Sequence, residues 1–228
     1  MQLVTGSAGF IGKRLFERIG GVGVDVREGH NLITTELPKD VDIIYHLAAQ
    51  SSVEASWQDP VHDMDNIRMT ARLVKEYPNA KIIYTASSAT KETSPYGFSK
   101  WASGEYIKNF HRNYVICILP NVYGEEDGKS VVDIFKKQNN VIIYGDGGQT
   151  RSYIHVDDIV EALILAKDWA VGEYFLGDGK ATSVLELAKG KDVKFAPARK
   201  EAYEAVPLNT SSNWIPKISV FNYLHEKD

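Results

Sequence analysis

Short apolar runs alternate with longer amphipathic stretches through the first half of the chain. Leu3 and Val4, Val22 to Val26, Ile43 to Leu47, Lys81 to Thr85 and Val115 to Leu119 read as strands. Between them, Phe10 to Ile19, Met64 to Tyr77 and Tyr96 to Phe110 carry apolar residues at helical spacing. Regular βα alternation predicts an α/β fold, a doubly wound parallel sheet with helices on both faces and right-handed crossovers. Ligands on such sheets bind beyond the carboxyl ends of the strands. His46-Leu47-Ala48-Ala49, Ser87-Ser88 and Asn121 each follow a predicted strand, so all three should reach one edge. After Gly124 the pattern loosens. Tyr144-Gly145-Asp146-Gly147-Gly148 is turn-rich, Val156 to Lys167 is an amphipathic helix and Tyr174 to Leu176 a strand. A tail with Pro197, Pro207 and Pro216 reads as an irregular lobe. The expected division is a core of residues 1–123 with 154–178, and a small lobe of 124–153 with 179–228.

Composition narrows the function classes. The chain has 228 residues, 43% hydrophobic and 25% charged, with a net charge of −4. No bulk field attracts nucleic acid or an anionic membrane, so an anionic ligand needs a few placed cations. The single cysteine, Cys117, lies in an apolar run and reads as a small buried hydrophobe. A single cysteine cannot form an internal disulfide, so a reducing cytoplasm is expected. No signal peptide is read before the first strand, and no apolar stretch reaches the length of a membrane span. Scattered histidines offer no metal-ligand spacing.

The chemistry begins at Thr5-Gly6-Ser7-Ala8-Gly9-Phe10-Ile11-Gly12, a glycine-rich turn between strand and helix. Such a turn lets backbone N–H groups approach a pyrophosphate at the helix N-terminus. Asp25 follows nineteen residues after Gly6, where an acid accepts hydrogen bonds from an adenosine ribose. NAD is therefore the expected cofactor, although Arg27 could tolerate a 2′-phosphate. Tyr96 and Lys100 are four residues apart at a helix start and share one face. A phenol titrates near 10 and is a poor base at neutral pH. A neighbouring ammonium is expected to lower that value, making the pair a general base for a hydroxyl proton. Ser88, at the preceding strand end, could hydrogen-bond the same substrate oxygen. Asp157 and Asp158 are expected to cap the helix that begins there. His46 and His155 are expected to be packed and hydrogen-bonded.

These pieces resemble the extended short-chain dehydrogenase/reductase family, the NAD-dependent nucleotide-sugar epimerases and dehydratases. The resemblance rests on Thr5 to Gly12, His46 to Ala49, Asn66, Ser87 to Thr90, and Ser94 to Lys100. It continues through Pro120 to Gly124, Tyr144 to Gly147, and Arg151 to Asp158. It implies that Ser88, Tyr96 and Lys100 are catalytic, with Lys100 also touching the nicotinamide ribose. It further implies that Gly6, Gly9, Phe10, Ile11, Gly12 and Asp25 hold NAD, with Leu47, Ala48, Ala49 and Gln50 lining its path. Asn66 would support the hydrogen bonds of the site, and Asn121, Arg151 and Arg199 would contact a nucleotide sugar. Asn31 and Leu32 would take the adenine-contacting place. Dehydratases of the family carry an Asp-Glu pair after the catalytic Ser or Thr, whereas this chain has Ala89 and Thr90. The resemblance therefore favours a UDP-glucose 4-epimerase-like epimerase. A 4-keto nucleotide-sugar reductase, another dehydratase, or a non-catalytic dinucleotide-binding sensor or scaffold are the alternatives. Homodimers are common in the family through the helices matching Met64–Tyr77 and Tyr96–Phe110, so a homodimer is expected. Only eight positions separate Ser88 from Tyr96, where the family usually has a longer loop.

Overall fold

Successive residues of the central strands point to opposite faces of a sheet, and this sorts the core into two layers. The structure, a computed structural model, describes residues 1–89, 94–125, 130–198 and 214–226. In chain order its first half contains β1 (Gln2–Thr5), α1 (Phe10–Ile19), β2 (Val22–Val24), β3 (Ile43–His46), α2 (Val53–Gln58), α3 (Met64–Glu76), β4 (Lys81–Ser87), α4 (Pro95–Phe110) and β5 (Tyr114–Leu119). There follow β6 (Asn121–Tyr123), α5 (Val131–Lys137), β7 (Asn140–Tyr144), β8 (Thr150–Arg151), β9 (Tyr153–His155), α6 (Val156–Ala166) and β10 (Gly172–Phe175). The last are β11 (Thr182–Ser183), α7 (Val184–Leu187), β12 (Asp192–Ala196) and α8 (Val220–His225).

Six strands form one parallel sheet in the order β10-β5-β4-β3-β1-β2. On one face Val4, Tyr45, Ile83, Val115 and Cys117 pack against Leu15 of α1 and Ile159, Val160 and Leu163 of α6. On the other, Leu3, Ile44, Ile82, Tyr84 and Ile116 pack against Leu73 and Val74 of α3 and Ile107 of α4. The sheet is therefore doubly wound, as the alternation predicts. The chain steps from β1 outward to β2, then returns to place β3 on the other side of β1. That reversal opens a crevice at the carboxyl ends of β1 and β3.

Element ends differ from the sequence reading where polar side chains intervene. β2 stops at Val24 because the Asp25 carboxylate accepts the Arg27 N–H (2.8 Å) and caps a single 3-10 turn, Val26–Glu28. β4 extends to Ser87, paired with Leu119, so Ser88 lies just beyond the strand. At α6 the capping expectation needs correction. The His155 ring nitrogen accepts the Asp157 N–H (3.2 Å), so His155 is the cap. Asp158 is buried and accepts the N–H groups of Lys217 (3.1 Å) and Ile218 (2.9 Å), tying the tail to the core. Asp157 faces Arg18 of α1 at 3.4 Å. Of the tail, residues 199–213, Pro207 among them, lie outside the described residues. Tyr123, Phe135, Val141, Ile143, Leu187 and Tyr223 form a third apolar cluster beneath the β7–β12 pair.

Candidate active site

Parallel pairing aligns Thr5 with His46 and with Val24, and His46 with Tyr84, so the turns after these strands emerge on one edge. Gly6 has φ +76°, and its N–H donates to the Val24 carbonyl (2.8 Å). A Cβ there would stand 2.8 Å from the Ala48 nitrogen, and one on Gly12 only 2.0 Å from the Gly6 carbonyl oxygen. Both positions admit glycine alone. Gly9 caps α1 with no side-chain hydrogen bond, and neither an acid nor a bulky cap stands over the first turn of Phe10 and Ile11. Those N–H groups and the positive helix end suit a pyrophosphate. Asp25 is buried at the end of β2, and its second carboxylate oxygen accepts the Ala8 N–H (3.0 Å). The Arg27 guanidinium lies against the same turn, donating to the Ala8 carbonyl (2.9 Å). The expected adenine contacts do not share one exposed edge. Leu32 is buried among the α3-side core residues, while exposed Asn31 closes its own turn by accepting the Ile33 N–H.

Across the crevice, Leu47, Ala48, Ala49 and Gln50 form a half-buried wall. Its N–H groups are anchored at three points: Leu47 to the Thr5 carbonyl (3.1 Å), Ala48 to the Thr5 hydroxyl (3.2 Å) and Gln50 to Asn66 Oδ1 (2.8 Å). Asn66, buried on α3, also donates to the Gln50 carbonyl (3.2 Å) and to Ser99 Oγ (2.9 Å). Ser99 in turn donates to the Tyr96 carbonyl (2.9 Å). Asn66 thus links the wall to α4.

Ser94 caps α4 by accepting the Gly97 N–H (3.0 Å), which sets Tyr96 and Lys100 on the first two turns beside β4. Lys100 is buried, and its ammonium sits 4.4 Å from the Tyr84 ring centre. Burial pushes the Lys100 pKa down to about 7. The Tyr96 phenol does not behave as the sequence suggests. Burial raises its pKa above 10.0, a hydrogen bond with Ser87 acts in the opposite sense, and the Asp63 carboxylate adds to the rise. The net direction is therefore upward, opposite to the lowering expected from a neighbouring ammonium. Ser88, half-buried, donates its N–H to the Leu119 carbonyl (2.9 Å), and the neighbouring Ser87 hydrogen-bonds Tyr96. Ser87, Ser99 and Asp63 went unassigned in the sequence. Ser99 alone had a local signal, three residues after Tyr96 on the same helix face.

Asn121 and Arg151 converge on a second cleft, a cavity of about 330 Å³ also lined by Tyr144, Gln149, Tyr153 and Val184. Asn121 opens β6, which pairs with β9, and Arg151 closes β8, two residues before β9 begins. Gln149 donates to the Tyr144 carbonyl (2.9 Å), holding the turn-rich segment over the cavity. Arg199 lies outside the described residues, as does Thr90. Ala89, following Ser88, offers no group that transfers protons.

Comparison with known proteins gives a consistent result. The family model described as NAD dependent epimerase/dehydratase family matches residues 2–175. The UDP-glucose 4-epimerase of Mycolicibacterium smegmatis is 33% identical over 249 aligned positions, covering 81% of this chain and 79% of that protein. Since 81% of 228 residues is about 185, some 64 of those positions have no counterpart here. The crystal structure of UDP-glucose 4-epimerase from Thermotoga maritima, with UDP-glucose, superposes with a TM-score of 0.82 at 27% identity, over 98% of this chain and 96% of that one. The Thermus thermophilus UDP-glucose 4-epimerase in complex with NAD gives 0.77 at 27% identity, over 96% and 95% of the two chains.

Proposed function

The chain belongs to the NAD-dependent epimerase/dehydratase family, enzymes that act on nucleotide sugars, and from that premise we propose that it is a UDP-glucose 4-epimerase-like nucleotide-sugar epimerase. It would invert one sugar carbon by oxidising its hydroxyl to a transient ketone and reducing that ketone from the opposite face. Bound NAD supplies the hydride acceptor and donor for this cycle. The carrying observation is the placement of half-buried Tyr96 and buried Lys100 at the same sheet edge as the uncapped glycine turn. Ala89, rather than an acid, follows the Ser87-Ser88 pair. Elimination of water needs a further acid and base, and Ala89 can serve as neither.

The chain's own residues divide the work. Gly6, Gly9 and Gly12 admit the pyrophosphate to the N–H groups at Phe10 and Ile11, and Asp25 faces the adenosine ribose. Lys100 offers its ammonium to the nicotinamide ribose. Tyr96 takes the proton from the sugar hydroxyl and returns it after inversion, with the Ser87 and Ser88 hydroxyls steadying the substrate oxygen. Arg151 and Asn121 receive the diphosphate and its sugar, since a guanidinium makes bidentate contacts to phosphate in a protein of net charge −4. In this reading residues 1–123 with 154–178 hold NAD, and 124–153 with 179–228 hold substrate.

The test combines ligand identification with one substitution. Mass spectrometry of molecules released on denaturation, then a screen of UDP-, dTDP- and GDP-sugars, should reveal an interconverted pair with no added reductant. Tyr96→Phe should lower turnover by about 10²- to 10⁴-fold while NAD still binds. Unchanged turnover in that variant, or strict dependence on added NADPH, overturns the assignment.

A further inference from the structure

A chain of buried hydrogen bonds runs beneath the Leu47–Gln50 wall, and its donors can be assigned one by one. Thr70 Oγ1 on α3 lies 2.9 Å from the Asn66 carbonyl, an acceptor only, so the Thr70 hydroxyl proton is committed there. Thr70 Oγ1 also lies 3.0 Å from His46 Nε2, so in that contact Nε2–H must donate. Burial drives the His46 pKa down to about 3, with the Lys100 charge acting in the same sense, so the ring is neutral and Nδ1 is bare. Nδ1 then accepts from the Thr5 hydroxyl at 2.9 Å, while the Thr5 oxygen accepts the Ala48 N–H (3.2 Å). One tautomer satisfies every group. Thr5, His46, Asn66, Thr70 and Ser99 are each 2% exposed or less, so no solvent route competes.

The topology gives this chain a purpose. The wall is clamped at Ala48 by Thr5, the residue before Gly6, and at Gln50 by Asn66, which also reaches Tyr96 through Ser99. The His46–Thr70 bond is the strut joining the two clamps. We propose that His46, fixed as the Nε2–H tautomer, and Thr70 are positioning residues that hold the Leu47–Gln50 wall at a set distance from both the glycine turn and the Tyr96 helix. This rests on the reading of that wall as the cofactor's lining. Neither residue touches the reacting atoms; they act through Thr5 and Asn66.

Three measurements on the full chain test the strut. In ¹⁵N NMR, His46 should show the neutral Nε2–H pattern; an Nδ1–H pattern overturns the donor assignment. Thr70→Val keeps the side-chain shape and removes the hydroxyl, whereas Thr70→Ser keeps it. In the Val variant, amide hydrogen exchange at Ala48 and Gln50 should rise at least about tenfold and NAD affinity by calorimetry should fall several-fold. The Ser variant should stay within about twofold of the parent. His46→Gln retains a donor toward Thr70 and loses the Thr5 contact, so it should loosen Ala48 more than Gln50. Parent-like exchange and NAD affinity in Thr70→Val overturn the proposal. Should Thr70→Val fail to fold, equal protection of Ala48 and Gln50 in His46→Gln overturns it instead. A parent protein that binds no NAD would sink the functional reading, while the exchange and tautomer results would still judge the strut.

Discussion

Lys100 shows what the candidate site asks of a single residue. Its ammonium is buried against an aromatic ring, and its pKa of about 7 compares with 10.5 for an exposed lysine. Between those values the unfolded chain binds more protons than the folded one, so stability falls as pH drops from about 10.5 to 7 and then levels. Scanning calorimetry of the cofactor-free protein should therefore find a higher melting temperature near pH 9.5 than near pH 7.5. Lys100→Met should flatten that dependence and stabilise the fold at pH 7 by ~1–4 kcal/mol, while abolishing turnover. Parallel melting curves for parent and variant would refute the buried-charge account. Asp63 acts on Tyr96 in a related way. Its buried carboxylate has one oxygen without a hydrogen bond, and its charge raises the Tyr96 pKa. Asp63→Asn removes that charge, so the acidic limb of the kcat/KM profile should move to lower pH. A limb that stays in place, or moves to higher pH, counts against Tyr96 as the base.

At the scale of elements, what could be read from the sequence was local. The glycine turn was legible because two of its constraints lie within seven residues: Gly6 needs its positive φ and Gly12 a missing Cβ against the Gly6 carbonyl. Gly12→Ala should cost ~1–3 kcal/mol and abolish NAD binding, because the clash is with backbone that cannot swing aside. Gly104→Ala on α4 is the control. Its Cβ would meet only side-chain atoms at 3.8 and 3.9 Å, so stability should hold or rise by ~0.4–1 kcal/mol. Equal losses in both variants would refute the steric reading. Distant partnerships were not legible. The partners of Asp158 lie 59 and 60 residues away, and the strand end at Ser87 is set by pairing with Leu119. Neither leaves a periodic trace, so a capping role looked sufficient for Asp158 and Ser88 looked like the strand end. The Tyr96 phenol misled for a related reason. Four-residue spacing reveals that an ammonium is near, but burial depends on every element packed around it.

At the scale of the whole molecule, the two helices carrying Asn66 and Tyr96 present exposed apolar side chains among the described residues. α3 and α4 pack side by side on one layer of the sheet, and Met64, Phe98 and Trp101 are 50%, 46% and 40% exposed along their outer surface. The Phe98 and Trp101 rings meet at a tilt with centres 5.7 Å apart, one helical turn apart in sequence. Large side chains clustered in this way usually mark an interface. A two-fold axis through the face would let it meet its own copy, forming a four-helix seam, and stable seams of this kind bury roughly 1,200 Å² or more. Light scattering should accordingly find a homodimer at micromolar concentration, and Trp101→Glu should yield monomers by placing a charge in the seam. A monomeric parent would remove the interface. Because α4 carries Tyr96 and Lys100 on its inner side and Trp101 on its outer side, dimerisation would brace the helix that positions the base. The monomeric variant should therefore lose turnover more than it loses NAD affinity, which depends mainly on the distant glycine turn.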